Sequence, residues 1–136
     1  MKMLLNLLSR DPAAQMAFYA ALFGFEEITA SRSPIYQVLD TGASELGFNA
    51  PEARALLALP DAPAPTADGL LPTTAFGTFM LDTPAEVDAL AARAQALGGR
   101  VLKPPFVTYY RQWQAVLADP EGHVFRIASL QLPAGV

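Results

Sequence analysis

The 136-residue chain has no cysteine, one histidine and one tryptophan, and only 16% of its residues are charged. Without cysteine it can form no disulfide, no thiolate nucleophile and no cysteine-ligated zinc site. The single histidine, His123, follows a turn sequence, so a serine–histidine–aspartate triad is not expected. The absence of cysteine is compatible with the cytoplasm, which is the location we expect.

Positive charge and long apolar runs are also scarce. Nine Lys and Arg residues stand against 13 Asp and Glu residues, for a net charge of −4, and the basic residues are scattered along the chain. A groove for nucleic acid is therefore not expected. No apolar run approaches the roughly 20 residues that cross a membrane. The first apolar run, within residues 3–8, is too short for a signal-peptide core and is better read as a strand. We expect neither a nucleic-acid partner nor a membrane partner.

What the chain does contain is typical of a folded domain. Hydrophobic residues make up 52% of the sequence, and a chain of this size can bury a core without covalent cross-links. Residues 50–73 differ in composition because they hold five of the 12 prolines. We expect one domain, in which residues 50–73 connect a first module, 1–49, to a second module, 74–136.

The first module predicts one helix and four strands. Asp11-Pro12 has the residues of a helix N-terminus, and Gly24 those of a helix end. Strands are predicted before and after this helix, over residues 3–8, 25–31, 34–39 and 43–49. In the connector, residues 52–59 favour a short helix.

The second module repeats this order. Thr83-Pro84-Ala85-Glu86 is a capping box, and Gly98-Gly99 ends the helix that it starts. Strands are predicted over residues 76–81, 100–103, 110–118 and 123–130. Each half therefore has the order strand, helix, strand, strand, strand, which indicates an α+β fold made by internal duplication.

The stretch DPEGHVFRIA, residues 119–128, contains one unusual residue. Asp119 to Gly122 has the composition of a tight turn. In the strand that follows, Phe125 and Ile127 alternate with Arg126. A cation in the middle of a strand that is otherwise suited to burial needs a partner, and the sequence does not say which.

These features together resemble the vicinal oxygen chelate superfamily, which includes glyoxalase I, bleomycin-resistance proteins and extradiol dioxygenases. The resemblance covers nearly all of the chain except the connector, and it lies in the stretches RDPAAQMAFYAALFGFE, ELGFN, DTPAEVDALAARAQALGGRVLKPP and LADPEGHVFRIA. It implies two tandem β-α-β-β-β modules whose curved mixed sheets surround a cavity. The helices would pack on the convex side, a small-molecule ligand would bind on the concave side, and the protein would be a homodimer.

The resemblance also places the metal ligands of the family on this chain. They fall on Leu4, Glu45, Phe76 and Arg126. Only Glu45 can donate to a metal, and the charge of Arg126 would repel one. We therefore expect no metal and no other cofactor, and metal-dependent glyoxalase I activity is not expected.

Glu45 and Arg126 are also the main candidates for a ligand-binding site. At equivalent ends of the two halves, Glu45 and Arg126 could pair with each other, or Arg126 could hold a ligand anion while Glu45 accepts a proton. Alternatively, they only neutralise each other or reach solvent. The other residues expected to line the cavity are Asn6, Phe76, Thr78, Phe106, Tyr109, Gln112 and Gln114.

Two of these candidates depend on the register of one strand. If Ala115 and Leu117 pack on the helices, then Gln112 and Gln114 face the cavity and Trp113 belongs to the core. A slip of one residue would reverse both assignments.

Three functions remain open from the sequence. The first is metal-independent binding of a small apolar or aromatic molecule. The second is an enzyme of the superfamily, a lyase, isomerase or dioxygenase, with displaced metal ligands or with Glu45 as a base. The third is a structural domain without a ligand.

Overall fold

The computed structural model describes residues 1–136. The chain divides into two compact units, Met1–Ala64 and Pro65–Val136, and the boundary lies within the proline-rich connector. Each unit contains one four-stranded mixed sheet. None of the helices combines the length and the apolar character needed to cross a membrane.

The first unit has four strands and two helices. They are β1 Leu4–Leu8, α1 Pro12–Phe23, β2 Glu26–Glu27, β3 Tyr36–Asp40, β4 Glu45–Asn49 and α2 Ala53–Leu56. The order in the sheet is β1-β4-β3-β2. β1 is parallel to β4, and the other neighbours are antiparallel.

The second unit repeats this topology. Its elements are β5 Gly77–Leu81, α3 Pro84–Ala96, β6 Arg100–Val107, β7 Trp113–Ala118 and β8 Val124–Ser129. The order is β5-β8-β7-β6, again with one parallel pair, β5 and β8. The predicted α+β class and the duplicated module are therefore confirmed.

Both long helices begin as their sequences predict. Asp11 accepts a hydrogen bond from the Ala14 backbone amide at 3.0 Å. At α3, the Glu86 amide donates to the Thr83 hydroxyl, and the Thr83 amide donates back to the Glu86 carboxylate at 2.8 Å. These contacts satisfy backbone donors that the first helical turn leaves free.

Each helix covers one face of its own sheet. In the first unit, Tyr19 of α1 packs on Phe48 of β4, with ring centroids 5.6 Å apart. In the second unit the buried positions of α3 include Val87, and those of the sheet include Leu117 and Ile127. Because side chains alternate along a strand, the polar positions between these residues lie on the opposite face.

Three segments differ from the sequence prediction. The strand predicted over 25–31 is reduced to β2, with a 3-10 turn at Thr29–Ser31. β6 continues to Val107 through two prolines, because it is an edge strand with register shifts and needs fewer backbone donors there. Residues 109–112 form a turn rather than the start of a strand, and Arg111 has a φ of +66°.

The connector is partly ordered against the second unit. The Leu71 amide donates to the Gly122 carbonyl at 3.0 Å, and Arg100 donates to the Asp68 carbonyl at 2.6 Å. Residues 66–71, which we call the strap, therefore lie on the turn that precedes β8.

Candidate ligand-binding site

Strand register defines one face of the second sheet. Arg126 lies opposite Thr78 on β5 and opposite Val116 on β7. Gln114 is two residues from Val116 and lies opposite Phe106 of the edge strand. These residues share the face away from α3, which we call the Arg126 face.

The register of β7 also settles the position of the tryptophan. Ala115 and Leu117 are fully buried on the side of α3. Trp113 lies on that side too, half-buried, and its indole N–H donates to Asp88 of α3 at 2.8 Å. Gln114 therefore lies on the opposite face, as the first of the two registers predicted.

Arg126 is held by hydroxyl groups rather than by a carboxylate. Its Nε donates to the Thr78 hydroxyl at 2.9 Å, and its Nη1 donates to the Tyr110 hydroxyl at 3.2 Å. The Tyr110 hydroxyl in turn donates to Oε1 of Gln114 at 2.9 Å. The donor and the acceptor of each of these hydrogen bonds are fixed, because a guanidinium can only donate and an amide oxygen can only accept.

Each cation of this face lies over an aromatic ring. The Arg126 guanidinium lies 4.9 Å from the centroid of the Phe76 ring, and Lys103 Nζ lies 3.7 Å from that of Phe106. Tyr109 packs edge-on against Tyr110 at 4.9 Å. No carboxylate of the second unit forms a salt bridge with Arg126 or Lys103. The face thus combines ring surface with positive charge that has no counter-ion in its unit.

The first unit carries a more neutral polar cluster. Asn6 lies opposite Gly47, and its side-chain oxygen accepts from the Asn49 amide at 3.3 Å. A Cβ on Gly47 would overlap that oxygen and lie 2.7 Å from the Tyr36 hydroxyl. The glycine therefore lets two polar side chains meet above the strand.

Glu45 belongs to the same cluster. Its side chain is 19% exposed, and its carboxylate lies 3.2 Å from Lys2 Nζ. Burial raises the pKa of the Tyr36 hydroxyl, and the nearby negative charge of Glu45 raises it further. The Glu45 carboxylate therefore forms a salt bridge with Lys2 in its own unit, and its charge raises the pKa of the neighbouring Tyr36.

Replacing Glu45 with glutamine should lower the pKa of Tyr36 but leave it above its ordinary value. The reason is that burial is the larger cause and survives the substitution, while the charge effect does not. The pH dependence of the Tyr36 ring-carbon chemical shift measures this. Glu52→Gln, which removes a carboxylate that does not act on Tyr36, is the control. A full return to the ordinary pKa would show that charge, not burial, dominates.

The register corrects one expectation about symmetry. Asn6 lies opposite Gly47, and Thr78 lies opposite Arg126. Asn6 and Thr78 are equivalent positions, because each lies five residues before the N-cap of the helix that follows, Asp11 or Thr83. The first-unit equivalent of Arg126 is therefore Gly47, and Glu45 lies two residues earlier on the same face. The spacing in the sequence agrees with this register, because Gly47 follows Asp40, and Arg126 follows Asp119, by seven residues.

The sequence candidates are distributed over both units. Asn6 and Glu45 lie in the first. The second brings five candidates to one face or into contact with it: Phe76, Thr78, Phe106, Gln114 and Arg126. Gln112 instead lies in the turn before β7, where its backbone bonds to Thr108, and Tyr109 is 95% exposed.

Three residues of these clusters were absent from the sequence candidates. They are Tyr36, Asn49 and Lys103. Gly47 within a predicted strand was the one available signal, because a strand glycine often marks the close approach of another group. Nothing local to the sequence pairs Tyr110 with Arg126, since the contact depends on the turn at 109–112.

The positions expected to hold a metal do not fit one. In the first unit these positions are Leu4 and Glu45. If the observed register is used instead, Gly47 replaces Glu45. In the second unit the positions are Phe76 and Arg126. A divalent cation needs three or four nitrogen or oxygen ligands. No group of three or more His, Asp or Glu side chains is arranged to hold a metal ion.

Comparison with known proteins adds independent findings. Residues 4–127 match the family model described as the Glyoxalase/Bleomycin resistance protein/Dioxygenase superfamily. A similar solved structure is a glyoxalase/bleomycin resistance protein/dioxygenase family enzyme from Burkholderia phytofirmans PsJN. It is 41% identical, with a TM-score of 0.83, over 94% of this chain and 97% of that chain.

More distant structures share the fold. Hypothetical protein SA1046 from S. aureus is 22% identical, with a TM-score of 0.76, over 95% of this chain and 93% of that one. Lactoylglutathione lyase from Agrobacterium tumefaciens is also 22% identical, with a TM-score of 0.66, over 95% and 92%. A comparison with curated proteins gave no match.

Proposed function

Because the chain belongs to the glyoxalase/bleomycin resistance protein/dioxygenase superfamily, we propose that it binds a small apolar or aromatic molecule without a resident metal ion. The observation that carries this proposal is Arg126. It stands where the resemblance places a metal-binding carboxylate, and it is hydrogen-bonded to Thr78 and Tyr110. A fixed cation at that point opposes a divalent metal.

The Arg126 face has the composition of a small-molecule site. Exposed ring surface comes from Phe76, which is 51% exposed, and from Tyr109 and Tyr110. Polar groups are few and held in place, and the buried Gln114 is among them. Such sites gain affinity from apolar contact and specificity from a small number of oriented polar groups.

A second candidate function is metal-free proton transfer with Glu45 as the base. The supporting observation is that the negative charge of Glu45 raises the pKa of the nearby Tyr36 hydroxyl. The first unit therefore holds a carboxylate, which could accept a proton, and a phenol, which could donate one, in the same cluster.

Two measurements on protein purified without chelator test the main proposal. We expect substoichiometric divalent metal by elemental analysis. We also expect a rise in the unfolding temperature with at least one member of a panel of apolar and aromatic compounds. A compound at ten times its Kd stabilises by about 1.4 kcal/mol, which corresponds to a shift of several degrees.

Two outcomes would contradict the proposal. Stoichiometric metal that is lost in Glu45→Ala would favour an enzyme with displaced ligands. No stabilisation by any compound of the panel would favour a structural domain. Glu52→Ala, which removes an exposed carboxylate outside both clusters, is the control for Glu45→Ala.

A further inference from the structure

The hydrogen bonds of Arg126 fix its orientation and leave part of it free. A guanidinium has five N–H donors, of which two are used, by Thr78 and by Tyr110. The Tyr110 hydroxyl is anchored by Gln114, whose side chain is buried. Since the two anchors come from β5 and from the turn before β7, the cation is held from two sides before any ligand arrives.

The remaining donors have no acceptor within the second unit. No carboxylate of this unit pairs with Arg126, and the Phe76 ring beside it offers only its π face. Lys103 adds a second cation to the same face. A half-buried guanidinium without a counter-ion favours an anion in contact with it.

The groups around Arg126 and the charge of the chain favour one class of anion, an aromatic monocarboxylate. A planar carboxylate matches the fork of a guanidinium. The chain as a whole has a net charge of −4, so a polyanion would be repelled more strongly than a monoanion. The exposed rings of Phe76, Tyr109 and Tyr110 provide surface for an aromatic body attached to that carboxylate.

We propose that the Arg126 face binds planar aromatic monocarboxylates and that Arg126 is the residue that selects the carboxylate. This inference rests on the proposed function, because it names the ligand class of the same site. The hydroxyl groups of Thr78 and Tyr110 position the guanidinium, and the ring of Tyr110 in addition offers surface to the aromatic body.

A pair of matched probes tests the selection. Naphthoate and its neutral isostere naphthamide are titrated into the protein by isothermal calorimetry. Wild type should bind naphthoate about ten- to a hundredfold more tightly than naphthamide, which is the range expected of a charged hydrogen bond. Arg126→Gln should abolish this preference and leave the affinity for naphthamide within about threefold.

Two further variants separate selection from general charge and from misfolding. Lys103→Gln removes the same charge from the same face and should keep most of the preference. Tyr110→Phe retains Arg126 but removes one of its anchors, so the preference should fall only in part. The thermal unfolding of each variant is measured in parallel, and the ratio of the two affinities within one variant does not depend on its stability.

Several results would overturn the proposal. They are equal affinity for both probes in wild type, an unchanged preference in Arg126→Gln, an equal loss in Lys103→Gln, or tighter binding of naphthyl phosphate than of naphthoate. If wild type binds naphthamide equally well, or binds neither probe but is stabilised by another panel compound, this inference fails and the proposed function stands. If no compound of any kind binds, both fail.

Discussion

Replacing Gly122 with alanine should lower the free energy of unfolding by about 2–4 kcal/mol. A left-handed backbone costs a non-glycine residue about 1–2 kcal/mol, and the φ of Gly122 is +93°. The added Cβ would also overlap the carbonyl oxygen of Gly69 and lie 3.1 Å from the Leu71 amide nitrogen. Both are backbone atoms, so the strap must move away from the turn.

Gly42→Ala is the matched control. Gly42 has a φ of +92°, and a Cβ there would meet nothing within 4 Å. Its loss should therefore be the backbone cost alone, about 1–2 kcal/mol. The difference between the variants, followed by urea unfolding, measures how tightly the strap packs. Equal losses would show that residues 66–71 do not rest on this turn in solution.

Replacing Asp119 with alanine should lower the free energy of unfolding by about 2–4 kcal/mol, because it leaves two half-buried backbone amides without an acceptor. The Asp119 side chain is fully buried. It accepts from the backbone amides of Glu121 and His123 at 3.0 and 3.1 Å, and its second oxygen lies 3.0 Å from Nδ1 of His123. Asp119→Asn keeps an oxygen for the amides and should cost less than the alanine variant.

The control for Asp119 is Asp40→Ala. Asp40 also accepts a backbone amide, that of Gly42 at 2.7 Å, but in an exposed turn where water can replace it. We expect this variant to lose at most about 1 kcal/mol. If the two alanine variants unfold at the same urea concentration, burial does not strengthen the Asp119 contacts as argued.

Both experiments probe the turn that the sequence also identified. The Gly122 amide donates to the Asp119 carbonyl at 2.9 Å, which closes the predicted turn. The sequence could predict it because a tight turn depends on residues next to each other in the chain. It could not predict the strap, because residues 66–71 lie about 50 positions earlier.

The capping residues and the alternation of β8 followed from local rules in the same way. Dimer formation and a cytoplasmic location stay predictions, since they came from the resemblance and the composition and not from a contact within the chain. The assignment of Glu45 and Arg126 to a ligand stays a prediction as well. The structure gives each of them a partner set within its own unit, Lys2 for one and Thr78 with Tyr110 for the other.

The order of the elements, the duplication and the position of the cation in the last strand could be predicted from the sequence, because helix caps, turns and side-chain alternation depend on residues a few positions apart. The surroundings of that cation could not be predicted, because they come from strands that lie far apart in the chain. Thr78, Tyr110 and Arg126 lie on β5, in a turn and on β8, and strand register brings them together. Register depends on hairpin length and on the burial of whole strands, and it also showed that Gly47, not Glu45, is the counterpart of Arg126.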